Sequence, residues 1–274
     1  MTVIDTHQHN WDFRKFDYRW ITPGTILAHN YLPEDALPVM QAAGVDQCVL
    51  VEAGVKLPAE LPWFLELAAT HDHIAGVVGH IDLVQEDTAA VLAGLNPDHR
   101  PLLKGIRIGV RTPDTDIEAQ HAGLRILAAH NLTCDLLIQN QSLGPAQALV
   151  AAHPDITFIL DHFAGGKITA DGHADWRAQT APLAALPNTV MKVSGYLTAA
   201  DPMPPTAQTL QPYFEAALDL FGPTRLMYGS DWPVCLRGGS YALGVELLKN
   251  LTGALSPDEQ AAIQGRTAIE TYHL

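Results

Sequence analysis

Short apolar runs alternate with stretches of helical period along the whole chain. The runs lie at 3–9 (VIDTHQH), 47–53 (QCVLVEA), 74–82 (IAGVVGHID), 102–110 (LLKGIRIGV), 132–139 (LTCDLLIQ), 156–163 (ITFILDHF), 189–195 (TVMKVSG) and 225–231 (RLMYGSD). Their centres are nearly continuous apolar stretches instead of clean alternations, the pattern of strands covered on both faces. Between them the spacing predicts helices over 34–43, 60–70, 86–94, 117–130, 144–152, 174–185 and 207–221, with a last helical region after the eighth run. Strands that alternate with helices form parallel βαβ units. Eight such units in about 250 residues is the count and size of a (β/α)8 TIM barrel, here one domain over residues 1–274. A doubly wound open sheet is the alternative, but no GxGxxG follows any of the strands.

Local punctuation agrees with this frame. Gly44 to Asp46 ends the first helix before the second strand. In SPDEQAAIQG, Ser256 is the expected N-cap, Pro257 opens the first turn, Glu259 completes a capping box and Gly265 is the expected stop. The proline-rich DPMPP (201–205) reads as the loop leaving the seventh strand.

Charge narrows the function. The 274 residues include 16 basic and 30 acidic side chains, a formal net charge of −14, which argues against a general nucleic-acid binder. Three cysteines without CxxC spacing suit a reducing compartment. The opening MTVIDTHQHNWDF has neither a basic start nor a long apolar stretch, and no segment approaches the ~18 uninterrupted apolar residues of a membrane span. The expectation is a soluble cytoplasmic protein with a small-molecule partner, no membrane and no nucleic acid; a homo-oligomer is compatible with the sequence.

The chemistry sits at the strand ends. Side chains two apart on a strand share a face, so Asp5, His7 and His9 are expected to point together into the barrel. The other strand ends supply Glu52, His80, Lys104 and Arg107, Gln139, Asp161 and His162, and Asp231. Barrel enzymes carry their reactive groups at the C-terminal ends of the strands. Asp231, which closes an apolar strand and precedes Trp232 and Pro233, is the expected general base. Either Asp161 or His162 is the inward residue of the sixth strand. Arg107 is a candidate for contact with substrate oxygen or for pairing with Glu52. Trp20, in the aromatic segment WDFRKFDYRWI after the first strand, is placed to cover the mouth.

The segments IDTHQHNWDFRKFDYRWI, LPEDALPVMQAAGVDQCVLVEA, AGVVGHIDL, LKGIR, FILDHF and LMYGSDWPV, in this order from residue 3 almost to the end, resemble the lactonase branch of the amidohydrolase superfamily. That branch includes sugar-lactone hydrolases and a pyrone-dicarboxylate lactonase. The resemblance implies a distorted TIM barrel that hydrolyses a lactone, most readily that of a sugar acid, with activated water. It implies catalytic roles for Asp231, His7, His9, His162 and Arg107. It makes His7, His9, His162 and Asp231 the ligands of one divalent ion, zinc or manganese, in members that use a metal; other members work without one. Trp20, Glu52, His80, Lys104 and Tyr196 are the expected substrate contacts. The fifth strand lacks the histidine of binuclear relatives, which speaks against two metals, and His80, Ile108 and Tyr196 depart from the usual pattern of the branch. A decarboxylase or amide hydrolase of the same superfamily, and a non-catalytic binding barrel, are the rival readings. The lactone itself is not identified by the sequence.

Overall fold

The computed structural model describes residues 2–274 and shows one sheet of eight parallel strands in sequence order. They are β1 (Ile4–Gln8), β2 (Gln47–Val51), β3 (Ile74–Gly79), β4 (Leu103–Val110), β5 (Thr133–Ile138), β6 (Phe158–Leu160), β7 (Thr189–Val193) and β8 (Leu226–Tyr228). All eight expected strands are present, with helices between them. The helix expected over 86–94 starts at Thr88, because the Asp87 carboxylate accepts from the Ala90 N–H (3.0 Å) and caps it. The helix expected over 117–130 is His121–Ala129, its first turn taken by a 3₁₀ segment at Glu118–Gln120.

Gly44, with φ of +77°, ends the first helix as expected. The Ser256–Glu259 capping box is also formed. Gly265 is not a stop. The chain passes through it in a widened turn (Ala262–Arg266) and continues as the helix Thr267–Tyr272. A side chain at 265 would bring its Cβ to 2.1 Å from the Thr2 carbonyl, so this glycine serves close backbone approach.

Two stacked layers fill the barrel. At the end from which the strands start, Ile4, Val49, Val51, Val78, Ile159, Val190 and Met227 form an apolar floor, closed below by Ala268 and Tyr272. Above it the inward positions change character: Arg107, Asp135, Asp161 and Lys192 are all buried. A second, larger apolar layer packs the outside of the barrel against the helices.

β1 carries one extra residue against β2, since Asp5 pairs with Cys48 but Gln8 pairs with Leu50. This bulge resets the alternation. The expectation that Asp5 points with His7 and His9 is therefore corrected. Asp5 accepts from Tyr241 (3.1 Å) on the outer helix Tyr241–Thr252, from Gln8 (2.7 Å) and from the Ser230 N–H (2.7 Å). The seam between β8 and β1 is joined by scattered bonds: Thr6 Oγ1 to the Tyr228 carbonyl (2.6 Å), Asp231 N–H to the His7 carbonyl (2.9 Å) and His9 N–H to the Trp232 carbonyl (2.7 Å).

Candidate active site

β1 delivers His7 and His9 to the C-terminal mouth of the barrel. The His9 Nδ1 lies 2.9 Å from the Val51 carbonyl. A carbonyl only accepts, so Nδ1 carries the hydrogen and Nε2 presents a lone pair. That lone pair lies 3.3 Å from Asp231 Oδ1, another acceptor, and 3.2 Å from His7 Nε2.

Asp231 stands in the left-handed region, with φ of +60°. The bond from its N–H to the His7 carbonyl fixes this turn. Conformations of this kind cost roughly 1–3 kcal/mol and cluster where function holds them. His162 is presented in a similar way. It begins a turn, His162–Gly165, whose four residues all have positive φ (+55°, +50°, +53° and +73°). The question of which residue of the sixth strand faces inward resolves in favour of both. Asp161 continues β6 into the interior, and the left-handed turn swings His162 back over it.

His162 Nε2 reaches Asp231 Oδ1 at 3.9 Å, and its ring centroid lies 4.3 Å from that of His7. Ser194 Oγ meets His162 Nδ1 at 2.9 Å. Gly195 (φ +68°) leaves room for the ring, for a Cβ there would sit 2.7 Å from Nδ1. Arg107 Nε donates to Glu52 Oε1 (2.7 Å) and its Nη2 to the Glu52 carbonyl (2.9 Å), while Nη1 lies 3.6 Å from Asp161 Oδ2.

Burial sets the protonation of this cluster. It holds the His7 ring well below the ordinary imidazole range, against the pull of Asp161. His162 is lowered for the same reason, with Asp231 opposing. Burial also pushes Asp161 and Glu52 up, but Lys192 and His7 for the first, and Arg107 for the second, outweigh it and leave both carboxyls low. Asp135 is raised by burial despite Lys192.

His7, His162 and Asp231 offer three ligand atoms within 4.8 Å of one another, the donor set for one divalent ion. Two features of the surroundings fit such an ion. The Nε2 atoms of His9, His7 and His162 crowd around one carboxylate oxygen, Asp231 Oδ1, at 3.3, 3.9 and 3.9 Å. The cluster also sets four carboxylates (Glu52, Asp135, Asp161, Asp231) against two permanent cations (Arg107, Lys192), a formal surplus of two negative charges. A dipositive ion relieves both.

Among the expected substrate contacts, Glu52 is buried and holds Arg107. Trp20 is 44% exposed and donates from Nε1 to the Ala53 carbonyl (2.8 Å), beside the mouth. His80 lines a cavity of about 440 Å³ at the ends of β3 and β4, shared with Asp82, Glu86, Arg111, Lys56 and Gln120. Its Nδ1 lies 3.3 Å from the Arg107 carbonyl, but none of His7, His9, Arg107, His162 and Asp231 lines this cavity.

Lys104 and Tyr196 are corrected. Lys104 lies at the opposite end of the barrel and donates to the His273 carbonyl (2.9 Å), because it is three residues before Arg107 and so faces out. Tyr196 is buried outward, its hydroxyl on the Gly244 carbonyl (2.8 Å). Lys192, Asp135 and Ser194 were not singled out. A charge inside an otherwise apolar barrel strand, as in TVMKVSG and LTCDLLIQ, is the signal that points to them, since such a group is buried only when paired.

Residues 4–274 match the model of the amidohydrolase family. The chain belongs to this family. It is 36% identical to an L-fucono-1,5-lactonase of Burkholderia multivorans over 99% of this chain and 96% of that protein. It is 30% identical to an L-fucono-1,5-lactonase of Burkholderia ambifaria, over 99% and 95%. A crystal structure of an amidohydrolase from Burkholderia multivorans with bound zinc superposes with a TM-score of 0.90 at 35% identity, covering both chains fully. Among the described residues, no helix of this amidohydrolase is long and apolar enough to cross a membrane.

Proposed function

We propose that this amidohydrolase opens the lactone ring of a sugar acid by attack of water, as one domain spanning residues 1–274 and working in the cytoplasm. The observation that carries the reading is the convergence of Asp231 Oδ1 with the Nε2 atoms of His9, His7 and His162 at 3.3, 3.9 and 3.9 Å, beside a buried arginine. The names of the two Burkholderia relatives give the substrate class.

Asp231 accepts a proton from the attacking water. The negative charge that grows on the lactone carbonyl oxygen is met by the Arg107 guanidinium and by histidine N–H groups already in place. Glu52 fixes the guanidinium so that no reorganisation is needed as charge develops. Asp231 then returns the proton to the departing ring oxygen, which stays in the product as a hydroxyl. His7, His9, His162 and Asp231 would hold a divalent ion, which when bound supplies Lewis-acid polarisation of the carbonyl and a more acidic water.

The test is a panel of aldono-1,5- and 1,4-lactones, L-fucono-1,5-lactone among them, followed by proton release with a pH indicator, with and without zinc or manganese. Turnover is expected for at least one member, and Asp231→Asn is expected to lower kcat by a factor of about 100 or more while keeping the circular dichroism of the parent. Hydrolysis of no lactone under any metal condition would sink the reading, and near-parental turnover by Asp231→Asn would remove Asp231 as the base.

A further inference from the structure

His7 sits in the charged layer, and each of its ring nitrogens faces a donor and an acceptor, with Asp231 Oδ1 a more distant acceptor 3.9 Å from Nε2. Nδ1 lies 3.2 Å from the Lys192 ammonium and 3.3 Å from Asp161 Oδ1. Nε2 lies 3.2 Å from the His9 lone pair and 3.5 Å from Arg107 Nη1. A neutral imidazole carries one hydrogen, on either nitrogen. The two placements are not equally matched here. With the hydrogen on Nε2, Lys192 donates to Nδ1 and Nε2–H donates to His9, which passes its own hydrogen to Val51. With the hydrogen on Nδ1, the ring faces Asp161 Oδ1 at 3.3 Å but abuts the Lys192 ammonium, and the bare Nε2 faces Arg107 and also the His9 lone pair, so this form is matched only when an ion takes up Nε2.

We propose that Lys192 and Asp161 form a selector that lets His7 exchange between these two tautomers, so that one ring serves as a hydrogen-bond donor to substrate oxygen or as a metal ligand. The first tautomer is the resting arrangement, because it alone gives both the Lys192 ammonium and the His9 lone pair a complementary partner. Lys192 is therefore a positioning residue: it holds the donor form and competes with the ligand form.

The selector is built to stay in place. Lys192 has no solvent exposure and bridges Asp135 Oδ2 (2.6 Å) to Asp161 Oδ1 (3.1 Å). Asp135 also accepts from Tyr272, in the last helix (2.7 Å). Each of the two cations faces one oxygen of Asp161, Lys192 at 3.1 Å from Oδ1 and Arg107 at 3.6 Å from Oδ2, so the carboxylate is held by charge from both sides. The inference deepens the lactonase reading and rests on it for the use made of Nε2, whereas its test reads the ring nitrogens and needs no substrate. Failure of the lactone assay and failure of the selector are thus separate outcomes.

The experiment is nitrogen NMR of protein labelled at histidine nitrogens, with the His7 signals assigned by their loss in His7→Gln. Chelator-treated protein is expected to show Nε2–H at His7, and zinc-loaded protein to show Nδ1–H. The same tautomer in both, or Nδ1–H before zinc, would overturn the proposal. The variant Lys192→Met/Asp135→Asn removes the competing donor together with its counter-charge, and the amide oxygen introduced at position 135 can still accept from Tyr272. Calorimetry with zinc is expected to show binding as tight as in the parent or up to about tenfold tighter. A loss of about tenfold or more, the usual result of removing a partner that supports the ligating form, refutes the role given to Lys192.

Discussion

Single residues in this barrel are displaced from their solution chemistry by where the fold puts them, and Glu60 shows it outside the reacting cluster. It opens the helix Glu60–Thr70, is buried, and has one oxygen on the Ala53 N–H (3.2 Å) and the other without a partner among the described residues. Burial, reinforced by Glu52, pushes its carboxyl up to about 8. The folded state therefore holds this proton more tightly than the unfolded chain, whose value is near 4.5. Its contribution to stability is complete below about pH 4.5 and is lost as the pH climbs through about 8. Glu60→Gln, neutral at every pH, should gain stability relative to the parent between about pH 5 and pH 8.5, by a few kcal/mol at most at about 1.4 kcal/mol per pH unit. Urea midpoints of the two proteins at both pH values check this, and parallel midpoints would disprove it. At this scale the sequence was only partly legible. His7, His9, His162, Arg107 and Asp231 could be singled out because polar groups at the ends of apolar strands stand out. Lys192 and Asp135 carry a weaker signal, a charge inside an apolar run, and their roles stay hidden because the pairing that makes them tolerable joins β5 to β7. Asp5 was misplaced by a bulge that leaves no mark in residue alternation.

Among the elements, the strands follow their apolar runs and the helices at Thr88–Gly94, Ala207–Phe221, Tyr241–Thr252 and Pro257–Ala261 follow their N-caps, so local preference and tertiary packing agree there. The turn His162–Gly165 is the exception. Four successive residues with positive φ are disfavoured for all but glycine, and FILDHF reads as a strand continuing through His162 and Phe163. The turn persists because the surroundings hold it: Phe163 and Ala164 are buried, and the Phe163 carbonyl accepts from Trp176 Nε1 at 2.8 Å. Gly165, at φ +73°, is where the turn passes the end of β5, and a Cβ there would lie 2.0 Å from the Ile138 carbonyl. Gly165→Ala should cost about 2–4 kcal/mol, from backbone strain and this collision, and should lower kcat because His162 moves with the turn. Chemical denaturation beside an activity assay reads both effects. A variant with unchanged midpoint and unchanged kcat would show that the turn does not set the position of His162.

For the molecule as a whole, eight βα units are countable because each strand run is apolar and a stretch of helical period follows each one. What the count leaves out is the surplus of buried negative charge at the mouth. An ion that binds the folded barrel and not the unfolded chain stabilises by mass action, about 2.7 kcal/mol at a hundredfold excess over Kd. Zinc should therefore raise the Tm by about 5 °C, chelator should reverse the rise, and Asp231→Asn should show a smaller one. Calorimetric scans of the two proteins decide the matter; equal shifts would place the ion elsewhere.

The seam between β8 and β1 carries a consequence for the life of the chain. His7 and His9 are separated from Asp231 by more than two hundred residues, with His162 between them, so a growing polypeptide is inert until the circle is joined. Contacts this distant in sequence form late and slowly. Because the joint is a handful of isolated bonds instead of a continuous ladder, it is also where the ring parts most easily. Turnover should then fade under mild denaturant before helical content does, which makes activity the more sensitive gauge of whether the circle is whole.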